Sequence, residues 1–580
     1  MRTLIWDPVV CDEAAAETLA TALDVSPVVA RLLCHRGHGD VEAAHRFLYP
    51  QLSQLWDPYR LADMRPAVDR LCAALERKEK IAIHGDYDVD GVTSTVILRR
   101  ALELLGGDVT HFIPERLRDG YGLQAPAVER LHAEGVRVIV SVDCGIRSAE
   151  AARRARELGV DLIITDHHEP EAELPAALAV INPKRSDCTY PDKNLAGVGV
   201  AFKVVQALCQ RFGREKWLPA FLKLAAIGTV ADVVPLVGEN RIIAKLGLER
   251  LSQGPHTVGL RTLLESAGLQ NTAIDGFHVS FVIAPRVNAA GRMSTPDLAT
   301  RLLLASDEAQ RDEVKRLAEQ LGEENTRRQT YEAEIVADAK KQVETDVRIG
   351  AHNVLVVAGE GWHRGVIGIV ASKLVDAFYK PAIVMSVEDG IAHGSCRSIP
   401  AFDMLGALDT CADLFVKYGG HKQAAGLTME AARIPEFRER INAHGLACLE
   451  PTDLMPRLRI DSPLRLAGID SKVVSGLEQM GPFGLANAKP VFDASGVELM
   501  GTPRRIKDRH LKVQLRQDGR VFNAIAWRSA EKAAQWEQHR QALRLAYSLD
   551  KQTWQGETTI ELTVADIRCP DQAPVSPGPA

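Results

Sequence analysis

Three aspartates alternate with other residues in His84-Gly-Asp86-Tyr-Asp88-Val-Asp90-Gly91. Carboxylates that close together gather negative charge that only protons or cations can neutralise. Asp86-x-Asp88-x-Asp90-Gly91 also matches the opening of a calcium-binding EF-hand loop, which needs a bidentate glutamate at its twelfth position and a helix on each side. That position is Ile97. Before the acids stands KIAIHG, short, apolar and β-branched, which reads as a buried strand. After them GVTSTVILRRALELLGG, apolar on one face and closed by glycines, reads as a helix. The acids sit where a strand hands over to a helix, and an EF-hand is excluded.

The same chemistry recurs downstream. SVDCG puts Asp143 directly after an apolar strand, ITDHH supplies Asp166, His167 and His168, and in GTVADVVPL Asp232 follows a helical run. As strand ends of one parallel sheet, these would open on one crevice, the usual ligand site of open α/β sheets. So many carboxylates repel unless some protonate or metals bind. Mixed carboxylate and imidazole donors suit Mn²⁺ or Mg²⁺ better than a thiolate-bound zinc. Cys144 would point the other way on an extended chain. A lone acidic turn or His-His pair is ordinarily solvated surface; their coincidence at the ends of one βα series argues for a site.

The elements that must position these residues begin at Lys80. KIAIHG, DVTHFIPER, VRVIVSVD and VDLIITDHH read as strands, with QAPAVERLHAEG and SAEAARRARELG among the intervening helices, so a parallel, doubly wound sheet is expected. The boundaries read as a helical and loop segment over 1–70, a catalytic α/β domain over 71–305, and a charged, proline-free helix over 306–346. That helix suits a solvent-exposed connector. A smaller α/β domain follows over 347–450, then a β-rich domain over 456–568, with a hairpin centred on Asp518-Gly519. Strands with one inserted helix suggest an OB-type barrel. Residues 569–580 read as a disordered tail.

At 580 residues the chain exceeds one hydrophobic core. A net charge of −6 argues against a uniformly basic coat and leaves room for a local basic face. The ten cysteines form no C-x-x-C pair, which fits reduced thiols in a cytosol. No signal-like start, membrane-length apolar run or P-loop is present, so a cytoplasmic protein is expected.

HGDYDVDG, Asp143 and the Asp166-His167-His168 triplet resemble the DHH phosphoesterase superfamily, and YGGHKQAAGLT, residues 418–428, resembles the signature of its accessory DHHA1 domain. With APRVNAAGR, GWHRGVIGIVASKL, GSCRS and the β-rich domain, the similarity narrows to bacterial exonucleases specific for single-stranded DNA that act 5′ to 3′ in recombination and repair. The implied fold class is α/β: a parallel-sheet DHH domain joined by a long helix to a smaller α/β DHHA1 domain, plus a C-terminal OB-type barrel. The resemblance implies two divalent cations, Mn²⁺ or Mg²⁺. One would be held by His84, Asp88 and Asp143, the other by Asp90, Asp143, His167 and Asp232. Asp86 and Asp166 would be alternate ligands or orient their neighbours. His168 would contact the scissile phosphate or support the site. Such an ion pair activates a water and steadies both oxygens of an in-line displacement, which is phosphodiester hydrolysis.

A 5′-phosphate is best held by arginine forks, hydroxyls and amides. IPERLRDGYG offers Arg116, Arg118 and Tyr121; HGSCRS, in a small-residue loop, offers His393, Ser395, Arg397 and Ser398. The resemblance favours Arg116, Ser395 and Arg397 for the phosphate, Tyr121 as a stacking surface, and Arg286, Asn288 and Arg292 as substrate-backbone contacts near the metals. Gly420 and its neighbours would let backbone approach a phosphate, with His421 beside it as a ligand contact or a structural histidine. Arg504, Arg505, Lys507 and Lys512 form a basic run that could track a single strand or merely face solvent. Ala486 stands where the family usually has glycine. The implied partners are single-stranded DNA with a 5′ end, single-strand-binding protein and repair helicases, for a monomeric enzyme. Rival readings are a shorter DHH enzyme (a manganese pyrophosphatase, or a phosphodiesterase for oligonucleotides or cyclic dinucleotides), which would lack the barrel, or a non-catalytic replication scaffold, which would have lost ligands.

Overall fold

A computed structural model describes residues 4–115, 118–120, 122–554 and 557–570. Two compact units emerge, one made of Trp56–Val234 and Leu246–Met455, the other of Met1–Leu55, Pro235–Lys245 and Pro456–Ala580.

The first unit holds a five-stranded sheet of β1 (Lys80–Gly85), β2 (Asp108–Phe112), β3 (Val138–Val142), β4 (Asp161–Thr165) and β5 (Ala179–Ile181), in the order β2-β1-β3-β4-β5. Every pairing is parallel. β3 is buried along its whole length, as a strand covered on both faces must be, and that is why it reads as an unbroken apolar run. Helix α1 (Val89–Leu104) follows β1 and buries nearly all of its first three turns. It packs on α2 (Gly197–Phe212) and α3 (Leu218–Ala231). Glycine lets these helices meet: a Cβ at Gly228 would lie 2.3 Å from Thr93 Oγ1. Asp232 is not at a strand end; it is the C-cap of α3. Helix α4 (Gly238–Gln253) comes next, and α5 (Ala284–Met293) carries the APRVNAAGR motif.

The long helix, α6, spans Arg311–Thr345 and is not the solvent-exposed connector expected. Val314, Leu317, Leu321, Ile335, Ala339 and Val343 are buried on it, at helical spacing. Most of its charge lies on the remaining face and disguises this stripe, into which the paired Arg328 and Glu332 are also buried. Beyond it, β6 (Leu355–Glu360), β7 (Ala382–Glu388), β8 (Ile391–Arg397), β9 (Phe415–His421) and β10 (Ala424–Glu430) form a mixed sheet ordered β9-β10-β8-β7-β6. GSCRS therefore begins on strand β8 rather than in a loop, and YGGHKQAAGLT is the β9–β10 hairpin. Helix α7 (Ile367–Phe378) packs on β7 and β8.

In the second unit β11 (Arg457–Ile460) and β12 (Ser462–Pro463) lead into helix α8 (Ser471–Met480) and a barrel. Its strands are β13 (Phe492–Ile506), β14 (His510–Gln517), β15 (Arg520–Ala526), β16 (Leu543–Trp554) and β17 (Glu557–Arg568). β13 pairs with both β14 and β16, and β15 with β17, so the sheet closes on itself. The β14–β15 turn has Asp518 and Gly519 at φ 50° and 77°, the twist-matched hairpin turn expected there. Residues 1–70 are not one separate segment. Strand Ile5–Pro8 pairs in parallel with β11, and the helices Glu13–Ala22, Pro27–His35 and Val41–Leu48 bury Leu19, Val29, Leu33 and Phe47 in the core that contains barrel residue Trp536. Ala486 sits at φ 58°, a left-handed conformation that favours glycine. Of the expected tail, Cys569 is buried in the barrel core, and 571–580 lie outside the described residues. Among the described residues no helix is long and apolar enough to cross a membrane.

Candidate active site

The loop after β1 is folded by its own acids. Asp88 caps α1, its Oδ1 accepting from Asp90 N at 2.9 Å and Gly91 N at 3.1 Å. Gly91 is required because a Cβ there would come 2.4 Å from Asp86 O. Asp90 accepts from Gly197 N and Val198 N, each at 2.7 Å, so the N-terminus of α2 faces a carboxylate. Asn288 Oδ1 accepts from Val89 N at 3.1 Å, and a Cβ on Gly291 would meet Tyr87 O at 2.5 Å, so α5 braces the loop from outside.

The expected ligands converge. His167 Nε2 lies 3.2 Å from Asp143 Oδ1, 3.6 Å from Asp232 Oδ2 and 3.9 Å from Asp90 Oδ2. Donor atoms of Asp90, His167 and Asp232 lie within 4.8 Å of one another, as do those of Asp86, Asp88 and Asp143, and those of Asp143, His167 and His168. His84, expected beside Asp88 and Asp143, is in none of these three groups. His84 is wholly buried at the end of β1 with Nε2 unpartnered, and Asp86 Oδ1, Asp143 Oδ1 and His167 Nε2 are likewise buried without hydrogen bonds. Buried polar atoms ordinarily have partners; four orphans among carboxylates and imidazoles fit divalent cations.

Cys144 departs from expectation. Asp143 has φ 60°, so the chain turns there, and Cys144 Sγ comes back to 3.6 Å from His84 Nδ1. Burial pushes this thiol well above its ordinary pKa, so it is a neutral neighbour and no thiolate ligand. Asp166 organises rather than joins the cluster. Its Oδ2 accepts from Ile146 N at 2.9 Å, and its Oδ1 from His167 N at 2.7 Å and from His168 N at 3.0 Å, with His168 Nδ1 2.7 Å away.

The electrostatics are those of carboxylates and imidazoles buried together. Burial first, then neighbouring carboxylates, pushes Asp90 up to about 7 and Asp232 up to about 9, and Asp86 and Asp143 well above the carboxylate range. Burial lowers His84 to about 4 and His167 to about 3, leaving neutral imidazoles ready to donate lone pairs. His168 differs: burial opposes its charge, yet its hydrogen bond to Asp166 and the surrounding carboxylates raise its pKa.

The smaller domain contributes Ser395 and Arg397 on β8. Arg397 Nη1 donates to Cys396 O at 2.8 Å and to Ser395 Oγ at 3.3 Å. A Cβ on Gly368, in the first turn of α7, would lie 3.1 Å from Ser395 Oγ and 3.3 Å from Arg397 Nη2. A guanidinium fork, a hydroxyl and a helix N-terminus therefore meet in one corner, the donor set that grips a phosphate. Nothing local in the sequence signals Gly368 in this corner or Gly197 against Asp143, where a Cβ would come 2.4 Å from Oδ1. His421 at the end of β9 faces the catalytic domain: burial, then Arg147 and His168, lower its pKa.

Several other expected contact residues have partners within the protein. Asn288 and Arg292 have internal partners, Val89 N and Gly365 O (3.0 Å), so their hydrogen bonds brace protein backbone. Arg286 donates to Val282 O at 2.7 Å within its own helical stretch. Gly420 (φ 150°) makes its close approach to Ala424 O in its own hairpin, where a Cβ would come within 2.4 Å. Ser398 donates to Phe402 O, and Arg118 pairs with Asp119 at 2.9 Å. Arg116 and Tyr121 lie outside the described residues. On the barrel Arg504, Arg505 and Lys507 are exposed, while Lys512 pairs with Glu561 at 3.3 Å. Trp527, 54% exposed beside His510, is an aromatic surface the sequence reading missed.

Comparison with known proteins follows this anatomy. The DHH family N-terminal domain matches residues 80–229, the DHHA1 domain 351–444 and the RecJ OB domain 460–566. A single-stranded-DNA-specific exonuclease RecJ of Escherichia coli is 33% identical over 574 residues, covering 95% of this chain and 97% of that protein. The chain belongs to the RecJ family. The Bacillus subtilis RecJ is 38% identical over 91% of this chain, which spans about two thirds (66%) of that longer relative. The structure of Thermus thermophilus RecJ in complex with Mn²⁺ superposes with a TM-score of 0.83 at 32% identity, over 98% of this chain and 80% of that one. A second structure of that RecJ contains Mg²⁺. The RecJ OB match separates this chain from shorter DHH enzymes, and retention of every expected acid and histidine argues against a decayed scaffold.

Proposed function

We propose that this chain is a hydrolase that degrades single-stranded DNA from the 5′ end and releases 5′-mononucleotides. The observation that carries the reading is the convergence of His167, Asp143, Asp90 and Asp232, with His167 Nε2 and Asp143 Oδ1 buried and unpartnered. Asp90, Asp143, His167 and Asp232 would hold one divalent cation, and His84 or Asp86 with Asp88 and Asp143 the other. Mn²⁺ or Mg²⁺ bound there supplies Lewis-acid activation of the phosphate and of the attacking water.

The chain's own residues do the rest. Asp166 orients His168 and raises its pKa, so His168 presents positive charge or a proton towards a phosphate oxygen. Ser395, Arg397 and the first turn of α7 hold the terminal phosphate, which sets the end at which the strand is cut. His421 adds a donor from the smaller domain. Arg504, Arg505 and Lys507 give the barrel a basic surface for the strand's backbone, with Trp527 for stacking. Family resemblance extends the proposal to a cytoplasmic monomer working in recombination and repair with single-strand-binding protein and a helicase; absence of co-sedimentation with either would remove those partners.

Single-stranded DNA labelled at one end tests the activity. With Mn²⁺, a 5′ label should appear as a mononucleotide from the first turnover, and a 3′ label only as progressively shorter fragments. Mononucleotide released first from the 3′ label, or equal degradation of blunt duplex, would overturn the reading.

A further inference from the structure

Lys184 stands close to the metal cluster, and the chemistry above does not use it. It follows β5, at the same end of the parallel sheet as Asp143 and the Asp166-His167-His168 triplet. One buried amide fixes its place. Asn182, wholly buried, donates from Nδ2 to His168 O at 2.9 Å and accepts at Oδ1 from Lys184 N at 2.8 Å. With its amide engaged at both ends, Asn182 ties the backbone of Lys184 to that of His168, the histidine assigned above to a phosphate oxygen.

The ammonium is turned towards the residue after that histidine. Lys184 Nζ lies 3.0 Å from Glu169 Oε1, and the Glu169 side chain is 63% exposed. Glu169 is steadied through its backbone, its carbonyl oxygen accepting from Arg147 Nε at 3.2 Å and Nη2 at 3.1 Å. It is in none of the three groups that could hold a cation. An ion pair with so exposed a partner contributes little to stability. It is also readily exchanged, because a phosphate offers the same ammonium a comparable charge and more oxygens.

The charge of Lys184 is felt at the cluster as well. Burial is the main cause of the lowered pKa of His421 and of the raised pKa of Asp232; Lys184 adds to the first and opposes the second. Arg147 and His168 act on His421 in the same sense. Four groups able to carry positive charge therefore gather here, all within the first compact unit.

We infer that Lys184 binds the internal phosphate next to the scissile one, and that Glu169 holds its ammonium in place until the strand arrives. The inference rests on the function proposed above. There Ser395 and Arg397 take the terminal phosphate, and the metals and His168 take the scissile one. The phosphate left for Lys184 is the next along the strand.

Cleavage of 5′-phosphorylated single strands by the full-length chain with Mn²⁺ tests it. The strands carry either a phosphate or an uncharged methylphosphonate at the second internal linkage. For the parent, the methylphosphonate should raise KM about tenfold, the worth of a charge-assisted hydrogen bond, with little change in kcat. Lys184→Met should raise KM about tenfold on the all-phosphate strand and be indifferent to the methylphosphonate, since both changes remove one interaction. Lys184→Arg should recover most of the loss, because a phosphate accepts either cation. Glu169→Gln should lower KM about two- to threefold by releasing the ammonium. Manganese uptake by DNA-free Lys184→Met should be as tight as the parent's or tighter, since a positive charge near the cluster is gone. A parent KM in Lys184→Met, or equal methylphosphonate effects in parent and variant, would overturn the inference and leave a surface ion pair. Weaker manganese uptake by Lys184→Met would also overturn it, by showing that the lysine acts through the metal centre. No manganese-dependent cleavage by the parent would overturn the proposed function itself.

Discussion

His167 Nε2 stands 3.2 Å from Asp143 Oδ1, and neither atom has a hydrogen-bond partner. A neutral imidazole lone pair facing a carboxylate oxygen at that distance is repulsive unless a cation or proton lies between them. Asp143 also shares one cluster with Asp86 and Asp88 and another with His167 and His168, so it is common to two of the groups that could hold a cation.

Asp143→Ala should therefore abolish cleavage, by about a thousandfold or more if cation-assisted stabilisation is lost. The fold should survive, because a crowded buried acid has been removed. Single-turnover rates with thermal melting check both parts; turnover within about tenfold of the parent would contradict the role given to Asp143.

The metal-free protein should lose stability as pH rises. Asp90 and Asp232 titrate at about 7 and about 9 in the fold, against an ordinary value of 3.8. Above that ordinary value the unfolded chain has released protons that the fold retains, so stability falls with pH until the folded values are passed. His84 and His167, lowered to about 4 and about 3, act in the opposite sense, but only below the imidazole value of 6.5. The net decline should appear between about pH 6.5 and 9. Saturating Mn²⁺ should cancel it, since the ionised carboxylates are the binding form. Melting temperatures across that range, with and without metal, decide the matter; a flat or rising metal-free profile contradicts the buried-acid account.

Arg397→Ala should reduce kcat/KM on 5′-phosphorylated strands about 10- to 100-fold, the worth of a charge-assisted hydrogen bond. It should change use of 5′-hydroxyl strands little. Arg397→Lys should not restore the loss, because the planar fork is missing. Equal losses on both kinds of end would remove Arg397 from phosphate recognition.

Ala486→Gly should stabilise the barrel-bearing unit by up to about 1 kcal/mol, because φ 58° costs alanine more than glycine. Denaturant melts followed by the barrel tryptophans check this, and a destabilised variant would show that Ala486 is held by packing.

Much of this was legible in the sequence because buried parallel strands are continuous apolar runs, and the acids stand directly after them. The rest was hidden for physical reasons. Asp232 was read after a helical run, but that this helix end reaches the cluster depends on how the helix packs, which no local pattern encodes. GSCRS became strand β8 despite its weak strand propensity because partners flank it on both sides. The burial of α6 was masked by charges on its outer face. That the first helices share a core with the barrel depends on contacts such as Gly476 against Val29, more than four hundred residues apart, and no local signal encodes them.

Anomalous diffraction at the manganese edge from crystals grown with Mn²⁺ tests the central claim most directly. Two peaks about 3.5–4 Å apart should appear, one against Asp90, His167 and Asp232, the other against Asp86 and Asp88, with Asp143 touching both. A fully active enzyme whose crystals show no manganese among these residues, or a single ion bound elsewhere, would contradict it.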